Sequence, residues 1–301
     1  MIRFMPAARD LISAEVLGQL HSLDVAARVI VEGLRAGAHR SPLKGQSVDF
    51  ADHRPYVPGD DIRHLDWKVM ARRDRLVLKR YEAEIDLSCS IAVDGSGSMA
   101  YQGGRASVDK FRYASLLAAS LAYLVLHQQD RVGLLIFNDT GVIEEAPGRQ
   151  GMLDRFCNHL QQYSPSGLTD SGEALARLAQ GNLRRGLVII VSDGLEDPDQ
   201  IVAAFDRLRH RGHDVALIWL LDPDECDLGL GALSRFQGLE GDGEIVAEPK
   251  ALRQAYQVIV EQHRLRLEEA CRSRRVVFVP ARTDEAPHLP LNNLLVGLQH
   301  G

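Results

Sequence analysis

Cysteine is scarce: four occur in 301 residues, at Cys89, Cys157, Cys226 and Cys271, and none sits in a C-x-x-C pair or a Cys/His cluster. That spacing excludes a zinc knuckle and a disulfide framework, and reduced structural thiols are the expectation. Long apolar runs are missing too. The longest, such as Val215–Leu221, fall far short of the roughly 18–20 residues that span a bilayer. The opening MIRFMPAARDLI has no basic flank, apolar stretch and small-residue cleavage site in succession, so no secretory signal is read and a soluble, cytoplasmic chain is expected. None of the 11 histidines has H-E-x-x-H spacing, and neither a G-x-x-x-x-G-K-[ST] phosphate loop nor a G-x-S-x-G elbow is present. Self-contained ATPase chemistry and acyl transfer therefore lack their parts.

A basic surplus is also lacking: 35 Lys and Arg stand against 41 Asp and Glu, a formal charge of −6. This argues against a surface built throughout to grip nucleic acid. The surplus is uneven. Residues 1–83 carry 14 basic and 11 acidic side chains, residues 84–222 carry 12 and 18, and residues 223–301 carry 9 and 12. The acidic excess lies in the middle, where a cation site is best supported.

What is present is an ordinary globular balance, 45% hydrophobic and 25% charged, in a chain long enough for about two domains. From about Asp86 short apolar runs alternate with helix-period stretches, the pattern of an α/β domain with a largely parallel sheet. Strands are expected at Leu87–Val93, Val132–Phe137, Leu187–Val191, Val215–Leu221 and Val276–Val279. Helices are expected near Val108–His127, Met152–Gln162, Ser171–Ala179, Asp199–Arg211 and Ala251–Arg272. The first of these, containing LLAASLAYLVL, is apolar nearly all round and so is expected to be buried on more than one face. Residues 1–83 read as a separate region, helical over about Ala8–Ala36 and then charged, with a turn at YVPGDD and an alternating RLVLKRY strand. A hairpin over Arg235–Ala247, turning at Gly241–Gly243, interrupts the core at about 229–248 and is expected to pack with the N-terminal strands.

The informative segment is SIAVDGSGSM at the end of the first core strand. Asp94, Ser96 and Ser98 alternate there, and the carboxyl ends of strands are where α/β sheets bind ligands. Gly95 and Gly97 are read as allowing tight turns. A carboxylate with two hydroxyls is a hard-oxygen set suited to Mg²⁺ or Mn²⁺. Alone the motif is weak, but PSGLTDSGEAL places Thr169 before a helix and VIIVSDG places Asp193 at another strand end. Asp170 reads either as an outer ligand or as a helix-start residue.

These three segments, in this order, resemble the von Willebrand factor A-like domains that carry a metal-ion-dependent adhesion site. The resemblance implies a Rossmann-like core over 84–301, with Ser96, Ser98 and Thr169 touching the metal and Asp94 and Asp193 binding it directly or through water. The preceding segment of residues 40–83, with Tyr56, Gly59-Asp60-Asp61, Arg63, Asp66-Trp67 and Ala71-Arg72, is similar to the signature of a bacterial domain-of-unknown-function family that joins such a core to an N-terminal region. Members of that family are typically encoded beside MoxR-type AAA ATPases. This implies a non-enzymatic, Mg²⁺-dependent adaptor that partners such an ATPase in assembling or activating other proteins, the client offering an Asp or Glu to the metal.

Two other functions are open on the sequence. Two acids near a metal could serve a phosphoester hydrolase, although the three motif loops show no His, Lys or Cys as a proton-transfer group. Arg72, Arg73, Arg75, Lys79 and Arg80 could form a nucleic-acid stripe within 63–80, although interleaved acids favour a solvated strand face.

Overall fold

The computed structural model describes residues 22–38, 53–56, 69–70, 77–79, 87–169, 172, 175–176, 185–196, 198–228, 234–237, 244–247 and 249–300. The chain divides into two compact units, one of residues 1–37 and 87–301 and one of residues 38–86.

In the smaller unit, β1 (His53–Pro55) pairs antiparallel with β2 (Val77–Lys79). The GDDIRHLDW segment, Arg72, Arg73, Arg75 and Arg80 lie outside the described residues.

The larger unit is built on a six-stranded sheet in the order β10-β7-β6-β3-β4-β5. Its strands are β3 (Ser88–Asp94), β4 (Arg131–Asn138), β5 (Gly141–Gly148), β6 (Gly186–Ser192), β7 (Asp214–Leu221) and β10 (Val277–Arg282). Five run parallel, and β5 closes one edge antiparallel to β4. The central strands are apolar without alternation because helices cover both faces; all seven residues of β3 are buried.

The helices are α1 (Leu23–Ala38), α2 (Lys110–His127), α3 (Met152–Gln162), α4 (Pro198–His210), α5 (Pro223–Asp227), α6 (Pro249–Ser273) and α7 (His288–His300). On one face Ile91 and Val93 pack with α1, α2, α3 and α7. On the other, Ala92, Val188 and Ile190 pack with Ile201 and Phe205 of α4 and Leu267 of α6. Thirteen residues of α2 are buried, among them Leu116, Leu117, Ala118 and Ala119 in succession, so the all-round apolar reading holds. Leu23, Ala26, Ala27 and Ile30 present α1 to the same core at the spacing of one helical face.

All five expected strands are found, four within a residue of their bounds and the last running three residues further, to Arg282, and four of the five helices lie within two residues of theirs. Of the fifth, Gly172, Leu175 and Ala176 are helical and the remainder lies outside the described residues. Strand β5 and helices α5 and α7 escape a periodicity reading. GVIEEAPG carries two glutamates and a proline, which an edge strand tolerates, and α5 is only five residues long. The hairpin is present as β8 (Ser234–Gln237) against β9 (Glu244–Ala247), a two-stranded sheet of its own. It belongs to the larger unit.

One local structure fixes the loop that follows the DGSGS segment. Asp222 caps α5 with a full capping box: its carboxylate accepts from Asp224 N at 2.9 Å, and Glu225 Oε2 accepts from Asp222 N at 2.8 Å. The same buried carboxylate accepts from Gly103 N at 2.9 Å and Thr283 Oγ1 at 3.2 Å, while Asp224 accepts from Gly104 N at 2.8 Å and Arg105 Nε at 2.6 Å. Asp222→Ala strands several buried donors at once. It is expected to lower unfolding free energy by about 3 kcal/mol in urea titrations, and Asp222→Asn by less.

Candidate metal centre

Chain order reverses within the sheet. From β3 the chain builds outward through β4 and β5 on one side, and then through β6, β7 and β10 on the other. The switch point therefore lies between β3 and β6, and a crevice opens at their carboxyl ends. Asp94 is the last residue of β3, and Asp193 directly follows β6.

The DGSGS segment is held by backbone on both sides. Gly95 N donates to Phe137 O at 2.8 Å, and Gly95 O accepts from Ser166 N at 2.9 Å and from the Tyr163 hydroxyl at 3.1 Å. Gly97 N donates to Gly167 O at 2.9 Å, tying this loop to the one that carries Thr169. Neither Gly95 nor Gly97 has positive φ. Gly95 is needed because the Tyr163 ring lies over it: a Cβ there would sit 2.5 Å from the phenol oxygen. The left-handed glycines beside the site are Gly167, with φ +76°, and Gly194, with φ +61°.

The structure brings all five expected residues together. Asp94, Ser96 and Asp193 are fully buried, Ser98 is buried, and Thr169 sits half-buried at the rim. Ser96 Oγ and Ser98 Oγ are 3.0 Å apart, Ser98 Oγ donates to Asp193 Oδ2 at 2.7 Å, and Thr169 Oγ1 lies 3.5 Å from Asp94 Oδ2. Asp94 is steadied by Ser96 N at 2.9 Å and by the Ser192 hydroxyl at 2.7 Å. The Leu195 amide reaches Asp193 Oδ1 at 3.3 Å, and Trp219 Nε1 donates to the Asp193 carbonyl at 2.6 Å. Asp170 and Ser171 lie outside the described residues.

Burial, and then the neighbouring Asp193 carboxylate, push Asp94 up to about 7, against hydrogen bonds from Ser192 and Ser96 that favour its charged form. Two carboxylates confined this way call for positive charge. The oxygens are all hard donors of the kind Mg²⁺ takes. The donor set thus suits Mg²⁺ or Mn²⁺ and not a soft metal.

Three participants escape the sequence reading. Ser192 is one residue from a motif position and looks like ordinary strand-end polarity. Glu225 comes from α5. Lys110 is the important one: its ammonium is fully buried, 2.8 Å from Asp193 Oδ2 and 2.6 Å from Glu225 Oε1. No lysine lies in the motif loops, yet one reaches the site from a helix. Its sequence signal is weak, because Asp109 and Arg112 stand beside it in VDKFRYAS.

Residues 52–266 match the family described as "Protein of unknown function DUF58". The chain belongs to the DUF58 family. Among curated proteins, this DUF58 chain is 28% identical over 226 residues to the uncharacterized protein Rv1480 of Mycobacterium tuberculosis and to Mb1516 of Mycobacterium bovis, covering 73% of this chain and 69% of each relative. Solved structures similar to it include an aerotolerance-related membrane protein from Bacteroides fragilis (19% identity, TM-score 0.47, 71% of this chain and 99% of that one). BatB from Bacteroides thetaiotaomicron (18%, 0.46, 71% and 99%) and the SpRpn10 VWA domain (13%, 0.42, 69% and 95%) are also similar. Among the described residues of this DUF58 chain, no helix is long and apolar enough to cross a membrane.

The raised Asp94 sets a pH dependence for the metal-free protein. A carboxyl that titrates higher folded than unfolded binds its proton more tightly in the native state, so stability is full below its ordinary value of 3.8 and is lost as pH rises toward about 7. In the presence of EDTA, the denaturation midpoint of the wild type is expected to fall across that interval. Asp94→Asn should flatten the profile; a wild-type profile already flat from pH 4 to 7 would refute the assignment.

Proposed function

We propose that this DUF58 chain is a non-enzymatic adaptor that binds other proteins through a divalent cation, Mg²⁺ by preference, held by Asp94, Ser96, Ser98, Thr169 and Asp193. One observation carries the reading: three neutral hydroxyls and two carboxylates converge at the switch point of the sheet, with the half-buried Thr169 at the open rim. When bound, the cation would supply an electrophilic centre for an incoming carboxylate. The chain's own groups do the rest. Ser192 and the Ser96 amide fix the Asp94 carboxylate, and the Leu195 amide fixes Asp193. The three hydroxyls are neutral, so only Asp94 and Asp193 offset the cation's charge, and an open position on it attracts an Asp or Glu side chain of a partner.

The rim supports protein as the occupant. Leu168 and Leu195 stand on the loops that carry Thr169 and Asp193 and are 44% and 57% exposed. Apolar side chains flanking a polar centre suit a protein surface better than a phosphoester. The lysine nearest the centre is engaged by two carboxylates, which leaves it unsuited to act as a general base.

The partner we assign is a MoxR-type AAA ATPase, with a client protein supplying the carboxylate, in maturation or activation of that client within the cytoplasm. This assignment rests on the family resemblance of the 40–83 segment and the core motifs. Affinity capture from the native host, with and without chelator, tests it against a Ser96→Ala/Ser98→Ala double variant. Wild type with Mg²⁺ should retain the ATPase and client, and EDTA or the double substitution should release the client. A captured set indifferent to metal overturns the mechanism. Phosphoester turnover with Mg²⁺ or Mn²⁺, lost in Asp94→Ala and Asp193→Ala, would replace it with hydrolysis.

A further inference from the structure

Lys110 is the first residue of α2, directly after the N-cap Asp109. A cation there opposes the positive end of the helix dipole, and complete burial of the ammonium adds a desolvation cost. Lysine is thus a poor local choice, and such conflicts between local preference and position mark functional sites. The conflict is resolved by two carboxylates from different elements. Asp193 Oδ2 lies 2.8 Å from the ammonium and Glu225 Oε1 lies 2.6 Å from it. Burial pulls the lysine down, but those carboxylates push it up by more, so it sits above its ordinary range. The Asp193 oxygen that takes the ammonium also accepts the Ser98 hydroxyl. One oxygen thus joins a motif serine to a cation that the chain itself provides.

We propose that Lys110 is a tethered counter-ion for the metal centre. In the metal-free protein its ammonium neutralises Asp193, and entry of a divalent cation moves the ammonium off Asp193 and onto Glu225. This rests on the metal reading above and adds a regulatory property to it. The fold does not depend on metal to hold two buried carboxylates together, and the cation must compete with a built-in charge, which sets the concentration at which the site fills. Glu225 is suited to receive the ammonium because its other carboxylate oxygen is already fixed by the Asp222 amide in the α5 capping box. It therefore stays in place when Asp193 is withdrawn.

The test compares wild type with Lys110→Met, which keeps the length and apolar stem of the side chain, by titration calorimetry with Mg²⁺ and by thermal unfolding with and without EDTA. Lys110→Met is expected to bind Mg²⁺ at least about tenfold more tightly, because a nearby like charge is gone. Its melting temperature should be lower than wild type in EDTA and should rise with Mg²⁺ by more than that of the wild type. Mg²⁺ binding by the wild type with equal or weaker binding by Lys110→Met overturns the inference and leaves the metal reading standing. No binding of Mg²⁺ or Mn²⁺ by either protein removes both. Should Lys110→Met fail to fold, the wild type alone decides. The ¹⁵Nζ resonance of the buried lysine is expected to shift as Mg²⁺ saturates the site, and an unmoved resonance at saturation overturns the inference.

Discussion

Two carboxylates are buried within reach of one another at the ends of neighbouring parallel strands, and the organisation of the larger unit follows from accommodating them. Asp94 and Asp193 are both fully inaccessible, and like charges in such a place are unfavourable unless compensated. Compensation comes from hydroxyls, backbone amides and a buried ammonium, each delivered by a different element. The topology makes this possible: only where chain order reverses do two adjacent strand ends send their loops apart and leave a crevice between them.

Around that pair the loops are cross-linked to each other more than to solvent. Gly95 bonds to β4 and to Ser166, Gly97 bonds to Gly167, and the segment after the 3-10 turn (Gly97–Ala100) is latched to α5 through Asp222 and Asp224. Arg105 extends the latch to Asp227 and the Pro223 carbonyl. Held this way, the serine hydroxyls have little freedom left to lose when a ligand arrives, which is the physical meaning of a pre-organised site.

Much of this was legible in the sequence because strand ends are local events. VDGSGS and VSDG each announce a buried strand running into small polar residues, and an α/β rhythm aligns such ends on one edge of the sheet. That is why the five motif positions converge as read. What was not legible depends on side chains reaching across the fold. Nothing in VDKFRYAS or in LLDPDECD says that Lys110 and Glu225 meet, because 115 positions separate them. What excludes a Cβ at Gly95 was hidden for the same reason. Its constraint comes from Tyr163, a distant ring, and not from its own dihedral angles. Edge strand β5 was missed because an edge needs no continuous apolar run, and α5 because five residues cannot display a helical period.

The order of the site residues along the chain has a kinetic consequence. Asp94, Ser96 and Ser98 come early, Thr169 some seventy residues later and Asp193 later still, and the Glu225 that steadies the lysine is contributed only after β7. Closing loops of this length is slow compared with forming α2 or pairing β4 with β5. A chain that has assembled only one wing of the sheet carries the serines but neither Asp193 nor the partner of Lys110. Completion of the centre therefore coincides with completion of the sheet, and the five candidate ligands stand together only once the folding of the larger unit has finished.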